Sequence, residues 1–280
     1  MRLRAKVAVI TGAGAGLGRT SAILFAQEGA RIVAADIDAR RAEATAAVIR
    51  NGGGEALAVR ADIADAGDVR RMIDSAIARF ERIDILFCNA GIPAPRTPFE
   101  EQDPSDWRRV LDVNVIGTLT CIQQSVPHFR RHGGGVVINT SSTAGLIAIP
   151  NAAAYSASKG AINALTRTLA VDLGPFNIRV NALCPQGGMS ANFARPAGDA
   201  LVDESSLYEN YLPADSPAPL ARPTPPRLID HARAALFLAS DDSAWCTGVC
   251  LVTDGGVTLR PQMDMDKVLA AYATARPLPE

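Results

Sequence analysis

Tyr155 and Lys159 stand four residues apart, so on a helix they share one face. A free tyrosine has a pKa of about 10 and is a poor base at neutral pH. An ammonium beside the ring favours the phenolate. The pair therefore has the chemistry of a proton-transferring residue and its activator. A supporting helix is legible in the apolar stripe Ile162, Leu165, Thr166, Leu169 and Leu173 and in the start signal Pro150-Asn151. Alone, Tyr-x-x-x-Lys is a weak signal, because most such pairs on helices only decorate the surface.

Ser141 and Ser142 follow the apolar run Val136-Val137-Ile138, at the end of a strand where open parallel sheets place their ligands. A hydroxyl there can hydrogen-bond a substrate oxygen as charge develops on it, although Ser-Ser-Thr also fits an ordinary polar strand exit. Asn114 lies on the helical face formed by Trp107, Val110, Leu111, Thr118, Cys121 and Ile122. A buried amide is costly unless its hydrogen bonds are met. It belongs to the site or bonds a backbone carbonyl of the next helix, and the two are compatible.

Thr11-Gly12-Ala13-Gly14-Ala15-Gly16-Leu17-Gly18 follows the apolar run Val7-Ala8-Val9-Ile10. Glycines there let backbone amides approach a pyrophosphate, and the following helix N-terminus favours negative charge. The spacing Gly12, Gly16, Gly18 differs from the GxGxxG fingerprint. Asp36, at the end of the next apolar run, can accept both ribose hydroxyls of NAD and would repel the extra phosphate of NADP. Ala15 agrees, since it leaves no cation inside the turn. Arg40 and Arg41 lie close by and are expected to point at solvent. The cofactor expected is NAD.

The elements that must position these residues alternate from the start of the chain. Apolar runs at Val7–Ile10, Ile32–Ala35, Ala56–Val59, Ile83–Phe87, Val136–Ile138, Ile178–Val180 and Val249–Val252 read as strands. Between them, Val69, Met72, Ile73, Ala76, Ile77 and Phe80 follow a 3.6-residue period. Strands apolar throughout are covered on both faces, so the fold class expected is α/β: one doubly wound domain over residues 1–256, with seven parallel strands between helix layers. Residues 190–226 carry seven of the 18 prolines around helically spaced Leu201, Ser205, Tyr208 and Leu212, and are expected to form a lid over the substrate. Residues 257–280 form a C-terminal extension.

The chain has 280 residues, 48% of them hydrophobic and 20% charged, enough for a large core. A net charge of −1 argues against nucleic acid or anionic lipid as partner. No apolar run approaches the ~20 residues of a membrane span, and the N-terminal stretch is too short for an export signal. Cys88, Cys121, Cys184, Cys246 and Cys250 show neither metal-ligand nor disulfide spacing and read as buried small hydrophobes in a reducing cytoplasm.

Taken together, these residues resemble the short-chain dehydrogenase/reductase family over about residues 5–256. Its Thr-Gly-x-x-x-Gly-x-Gly turn is similar to Thr11, Gly12, Gly16 and Gly18. Its acidic adenine contact after the third strand matches Asp62-Ile63, and its Asn-Ala-Gly element after the fourth strand matches Asn89, Ala90 and Gly91. The family's active-site Ser precedes its Tyr by 13 positions, which selects Ser142 over Ser141. The resemblance implies a tetrad of Asn114, Ser142, Tyr155 and Lys159. In it Tyr is the acid/base and Ser polarises the substrate oxygen. Lys binds the nicotinamide ribose and lowers the Tyr pKa, while Asn holds a water in a proton relay. Implied cofactor contacts also include Leu17, Asp36, Ile37, Pro185, Gly188 and Ser190. Where the family has Pro-Gly and a Thr four positions on, this chain has Pro185-Gln186 and Ser190. If residue 186 required positive φ, Gln would cost on the order of 1 kcal/mol.

The apolar segment Thr143–Ile149, with Phe193, Leu201, Tyr208 and Leu212, suggests a hydrophobic or cyclic alcohol or ketone, steroid-like or terpene-like, as the small-molecule substrate. Arg96 and Arg195 are the nearby candidates for binding an anionic group. A 3-oxoacyl-thioester reductase is the alternative, although that chemistry in the family usually draws on NADP. An NAD-binding sensor or scaffold without turnover is the alternative of another class. A homotetramer or homodimer is expected, since relatives pack the Tyr-bearing helix across a two-fold axis.

Overall fold

The apolar runs form the strands of one sheet in the computed structural model, which describes residues 1–186, 199, 218–220, 222 and 227–259. β1 (Val7–Thr11) is buried at all five positions, as is β4 (Ile85–Cys88) at all four. β2 spans Arg31–Asp36, β3 Ala56–Arg60, β5 Gly135–Thr140, β6 Ile178–Pro185 and β7 Cys250–Thr253. All seven pair in parallel, in the order β3-β2-β1-β4-β5-β6-β7. The order reverses between β1 and β4, and such a reversal opens a crevice at the C-terminal ends of the strands.

Helices cover both faces. One core joins Val9, Leu86 and Val137 to Met72 and Phe80 of α3 (Ala66–Phe80) and to Cys121 and Phe129 of α5 (Thr118–Arg131). The other joins Ile10, Phe87 and Leu183 to Phe25 of α1 (Gly16–Gln27), Ile49 of α2 (Ala39–Asn51) and Leu236 of α7 (Leu228–Ala239). α4 (Pro104–Leu111) and α6 (Ala153–Leu173) complete the set.

Three elements differ from expectation. The fourth strand begins at Ile85, because Asp84 is engaged from its side chain: it accepts the Val7 amide at 2.8 Å and pairs with Arg82. β6 continues past Val180 through Asn181, a buried polar residue that apolar patterning passes over. Asn181 donates to the Cys246 carbonyl at 2.8 Å and accepts from the Val249 amide at 3.0 Å. α6 buries Ala154, Ser158, Lys159, Ile162, Asn163, Thr166 and Ala170, while Leu165, Leu169 and Leu173 are only half-buried. Cys246 and Cys250 are partly exposed, which corrects the expectation that all five cysteines are buried. Apart from Asp199, residues 218–220, Arg222 and residues 257–259, the proposed lid and the C-terminal extension lie outside the described residues. Among the described residues no helix is long and apolar enough to cross a membrane, and no cluster of metal-ligating side chains occurs.

Candidate active site

The ends of β4, β5 and β6 and the first turns of α6 converge at one end of the sheet. α6 carries Tyr155 and Lys159 on the face turned to β5. Lys159 is only 4% exposed; its ammonium donates to the Thr140 carbonyl at 2.8 Å and lies 5.5 Å from the centre of the Tyr155 ring. Burial pulls its pKa down to about 8, against a smaller upward pull from Cys184. Burial pushes the Tyr155 phenol above its ordinary value, and a hydrogen bond with Ser142 pulls it back. Without a bound cofactor, burial is the larger of these two effects and the phenol stands above its ordinary value.

Ser142 also accepts the Ala144 amide at 3.1 Å, which fixes the hydroxyl at the start of the turn Thr143–Gly145. Ser141 is buried and donates to the Lys159 carbonyl at 3.0 Å. Hydrogen bonding thus separates the two serines: one braces α6, the other meets the phenol.

Asn114 sits in a π-helical turn, Asp112–Gly117, between α4 and α5. Its Oδ1 accepts the Ile92 amide at 2.8 Å, and its Nδ2 donates to the Ile92 carbonyl at 2.9 Å and to Ser158 Oγ at 3.1 Å. The backbone it holds belongs to the segment after β4, not to the next helix. A Cβ on Gly91 would come within 3.1 Å of Asn114 Oδ1 and 3.6 Å of Lys159 Nζ, so this glycine keeps the space between them open.

The glycine turn lies across the crevice from these residues. Gly12 adopts φ +64°, and a Cβ on Gly18 would meet the Gly12 carbonyl oxygen at 2.1 Å. Only glycines let the turn fold this tightly onto α1. Asn89 clamps it from β4: its Nδ2 donates to the Thr11 and Gly12 carbonyls at 3.1 and 3.3 Å. Thr11 Oγ1 accepts the amides of Asn89 and Ala90 at 3.0 and 3.1 Å. The helix N-terminus beyond has neither a side-chain cap nor an acidic residue in its first turn, which contains the buried Leu17. Its orphan amides and a cradle without Cβ atoms suit a pyrophosphate.

Asp36 closes the adenosine side. It accepts the Gly14 amide at 2.9 Å and the Asp38 amide at 3.0 Å through different oxygens, so each keeps a lone pair. Burial raises its pKa, while those two amides and the nearby Arg41 lower it. Ile37, beside it, is half exposed. Asp62 and Ile63 follow β3: the Asp62 amide donates to Asp68 Oδ2 at 3.0 Å, and Ile63 is buried with its carbonyl against Gly117.

A family model described as enoyl-(acyl carrier protein) reductase matches residues 12–258. The chain is 37% identical to a cis-4-hydroxycyclohexanecarboxylate dehydrogenase of Sinomonas cyclohexanicum, over 90% of this chain and 96% of that one. A 7α-hydroxysteroid dehydrogenase solved with NADH and 7-oxo glycochenodeoxycholic acid superposes with a TM-score of 0.76 at 34% identity, covering 91% and 95% of the two chains. A short-chain type dehydrogenase/reductase from Mycobacterium marinum gives 0.79 at 32% identity, covering 92% and 97%. The chain belongs to the short-chain dehydrogenase/reductase family.

As a short-chain dehydrogenase/reductase it is an oxidoreductase, and the structure brings Asn114, Ser142, Tyr155 and Lys159 to one side of the crevice and Gly12, Gly16, Gly18 and Asp36 to the other. Pro185 ends β6, whereas Gly188 and Ser190 lie outside the described residues. Arg40 is exposed as expected, but the Arg41 side chain is only 12% exposed, paired with Asp38 at 3.5 Å and donating to the Asp199 carbonyl at 2.7 Å. Gln186 is absent from the positive-φ residues, so the glycine usual in the family is not replaced at the cost of strain. Sequence reasoning missed Thr140 and Ser158, whose partners are a lysine and an asparagine far off in the chain. No local pattern marks either.

Proposed function

We propose that this protein transfers a hydride between NAD and a secondary alcohol or its ketone, and that the substrate is hydrophobic and cyclic. The carrying observation is the hydrogen bond between the Tyr155 and Ser142 hydroxyls, with the buried Lys159 ammonium beside the phenol ring. The nicotinamide, when bound, supplies the hydride acceptor or donor. Ser142 Oγ holds the substrate oxygen, and Tyr155 Oη takes its proton as the C–H bond gives up its hydride. In the reverse direction Tyr155 returns the proton. Lys159 holds positive charge beside the phenol and favours its ionised form; Asn114 keeps the neighbouring backbone in place and lines the space for a relay water.

Asp36 supports NAD over NADP, because its carboxylate occupies the position an additional phosphate would approach. Asp36→Ala is expected to cut the NAD/NADP preference by about 10- to 100-fold, the effect of losing hydrogen bonds to a charged group.

A ring substrate is supported by the cyclohexane and steroid relatives and by Leu146, Ile147 and Ile149, exposed or half-buried beyond Ser142. The test is a panel of cyclic secondary alcohols with NAD⁺ and NADP⁺ in parallel at mildly alkaline pH. Reduction of NAD⁺ by ring alcohols is expected. NAD binding without turnover would replace this reading with that of a non-catalytic sensor. A second reading, reduction of a 3-oxoacyl thioester, is supported by the likeness to a 3-ketoacyl-(acyl-carrier-protein) reductase of Brucella melitensis solved with NADH. Faster turnover of acetoacetyl thioesters than of any ring ketone would establish it. The reading further places the enzyme in the cytoplasm, as a homotetramer or homodimer.

A further inference from the structure

Gln186 is the first residue beyond β6, at the mouth of the crevice. Its backbone amide donates to the Thr253 carbonyl at 3.3 Å, which ties it to the end of β7. Its side chain turns the other way, toward β5, where Oε1 accepts the hydroxyl of Thr143. Thr143 is buried and directly follows Ser142. The amide is therefore aimed from two sides, by strand pairing behind it and by the Thr143 hydroxyl in front. With Oε1 committed, the two N–H donors of Nε2 remain, and they have no acceptor among the described residues. The Nε2 nitrogen is not shut away from solvent, so its donors open to the crevice, where a bound molecule can accept from them. The loop beside it, through Leu146 and Ile147, is apolar and offers no side-chain acceptor.

We infer that Gln186 is a specificity-determining residue: its side-chain amide donates a hydrogen bond to a second oxygen of the substrate, distinct from the oxygen held by Ser142 and Tyr155. The ligand class is a cyclic secondary alcohol carrying a further ether, carbonyl, hydroxyl or carboxylate oxygen. An otherwise apolar pocket discriminates weakly between ring substituents of equal size. A pocket with one fixed donor rejects a partner that leaves the donor unpaired.

The inference rests on the reading of the protein as a dehydrogenase of ring alcohols, and the test separates the two. The 2-, 3- and 4-methoxycyclohexanols are compared with the 2-, 3- and 4-ethylcyclohexanols, pairs that differ only by an acceptor oxygen in place of a methylene. For at least one ring position, wild type is expected to show a kcat/KM ratio of methoxy over ethyl of about tenfold. Gln186→Glu keeps the size and the acceptor for Thr143 but removes the donors, and the ratio should fall to one or below. Gln186→Leu should give a ratio near one. NADH binding followed by fluorescence identifies any variant that has failed to fold, and either variant that folds suffices. Turnover of the ring alcohols with no preference in wild type overturns the inference alone, as does a preference that survives in Gln186→Glu. Failure of wild type to oxidise any of the six alcohols overturns the inference together with the reading beneath it.

Discussion

Burial disfavours the charged form of both Tyr155 and Lys159: it raises the phenol above its ordinary value and lowers the ammonium to about 8, so their titrations move apart. Tyr155→Phe removes the proton carrier and leaves the ring in place. Single-turnover rates should fall by about 10²–10⁴-fold, with NADH affinity little changed; a variant within tenfold of wild type would remove Tyr155 from the chemistry. Lys159 also sets a pH dependence of stability. Its pKa is about 8 in the folded chain, against the ordinary lysine value of 10.5. Between these values the unfolded chain binds more protons than the folded one, so stability contributed here rises with pH across that window and is lowest below pH 8. Lys159→Met should abolish this slope, gaining on the order of 3 kcal/mol on wild type at pH 7, with the gain shrinking toward pH 10. Urea unfolding at pH 7, 8.5 and 10 reads it; a constant difference would mean that Lys159 is not desolvated in the folded state. Sequence spacing showed that Tyr155 and Lys159 share a face, but the direction of the Tyr155 shift was not legible. It depends on how far the surrounding loops exclude water, and no periodicity records that.

At the scale of elements, the helix from Pro104 to Arg131 shows what a pattern carries and what it hides. The stripe from Trp107 to Ile122 was readable, and it placed Asn114 among apolar residues. The π-turn at Asp112–Gly117 was not, because a one-residue slip in hydrogen bonding barely disturbs the spacing of the stripe. The slip accompanies a grip of Asn114 on both backbone groups of Ile92, so that the segment after β4 is held by a side chain rather than by a strand. Asn114→Ala leaves those groups without their partner, at a cost of about 1–3 kcal/mol. The thermal midpoint should drop by roughly 3–10 °C. An unchanged midpoint would show that the Ile92 groups find other acceptors or water. The strand ends were misjudged for a related reason. Asp84 and Asn181 bond the backbone through their side chains, so polarity in the sequence concealed one continuation of a strand and displaced the start of another.

For the whole molecule, one stretch of exposed apolar surface lies beyond the end of α6, apart from Ile37 and Leu146 at the crevice. Val171 near the end of α6 is 76% exposed, Trp245 is fully exposed, and Phe176 and Val249 are each exposed by more than a third. These belong to one region, since Gly248 packs against Ala170 and Arg179 donates to the Cys246 carbonyl. Beside them β7 is the last strand of the sheet among the described residues, which leave one of its edges unpaired. Unpaired edges invite further strands, and contiguous apolar patches on soluble proteins mark contacts. A two-fold axis through this region would cover both at once. Light scattering at micromolar concentration is expected to give the mass of a dimer or tetramer, and Val171→Glu with Trp245→Glu should shift it toward one chain. Trp245 also reports the contact optically, because the chain has only one other tryptophan, Trp107, whose indole donates to Gln102. Dilution through the dissociation range should move the emission to the red as Trp245 meets water. A single-chain mass at all concentrations, or an emission already red and insensitive to dilution, would show that this surface stays bare.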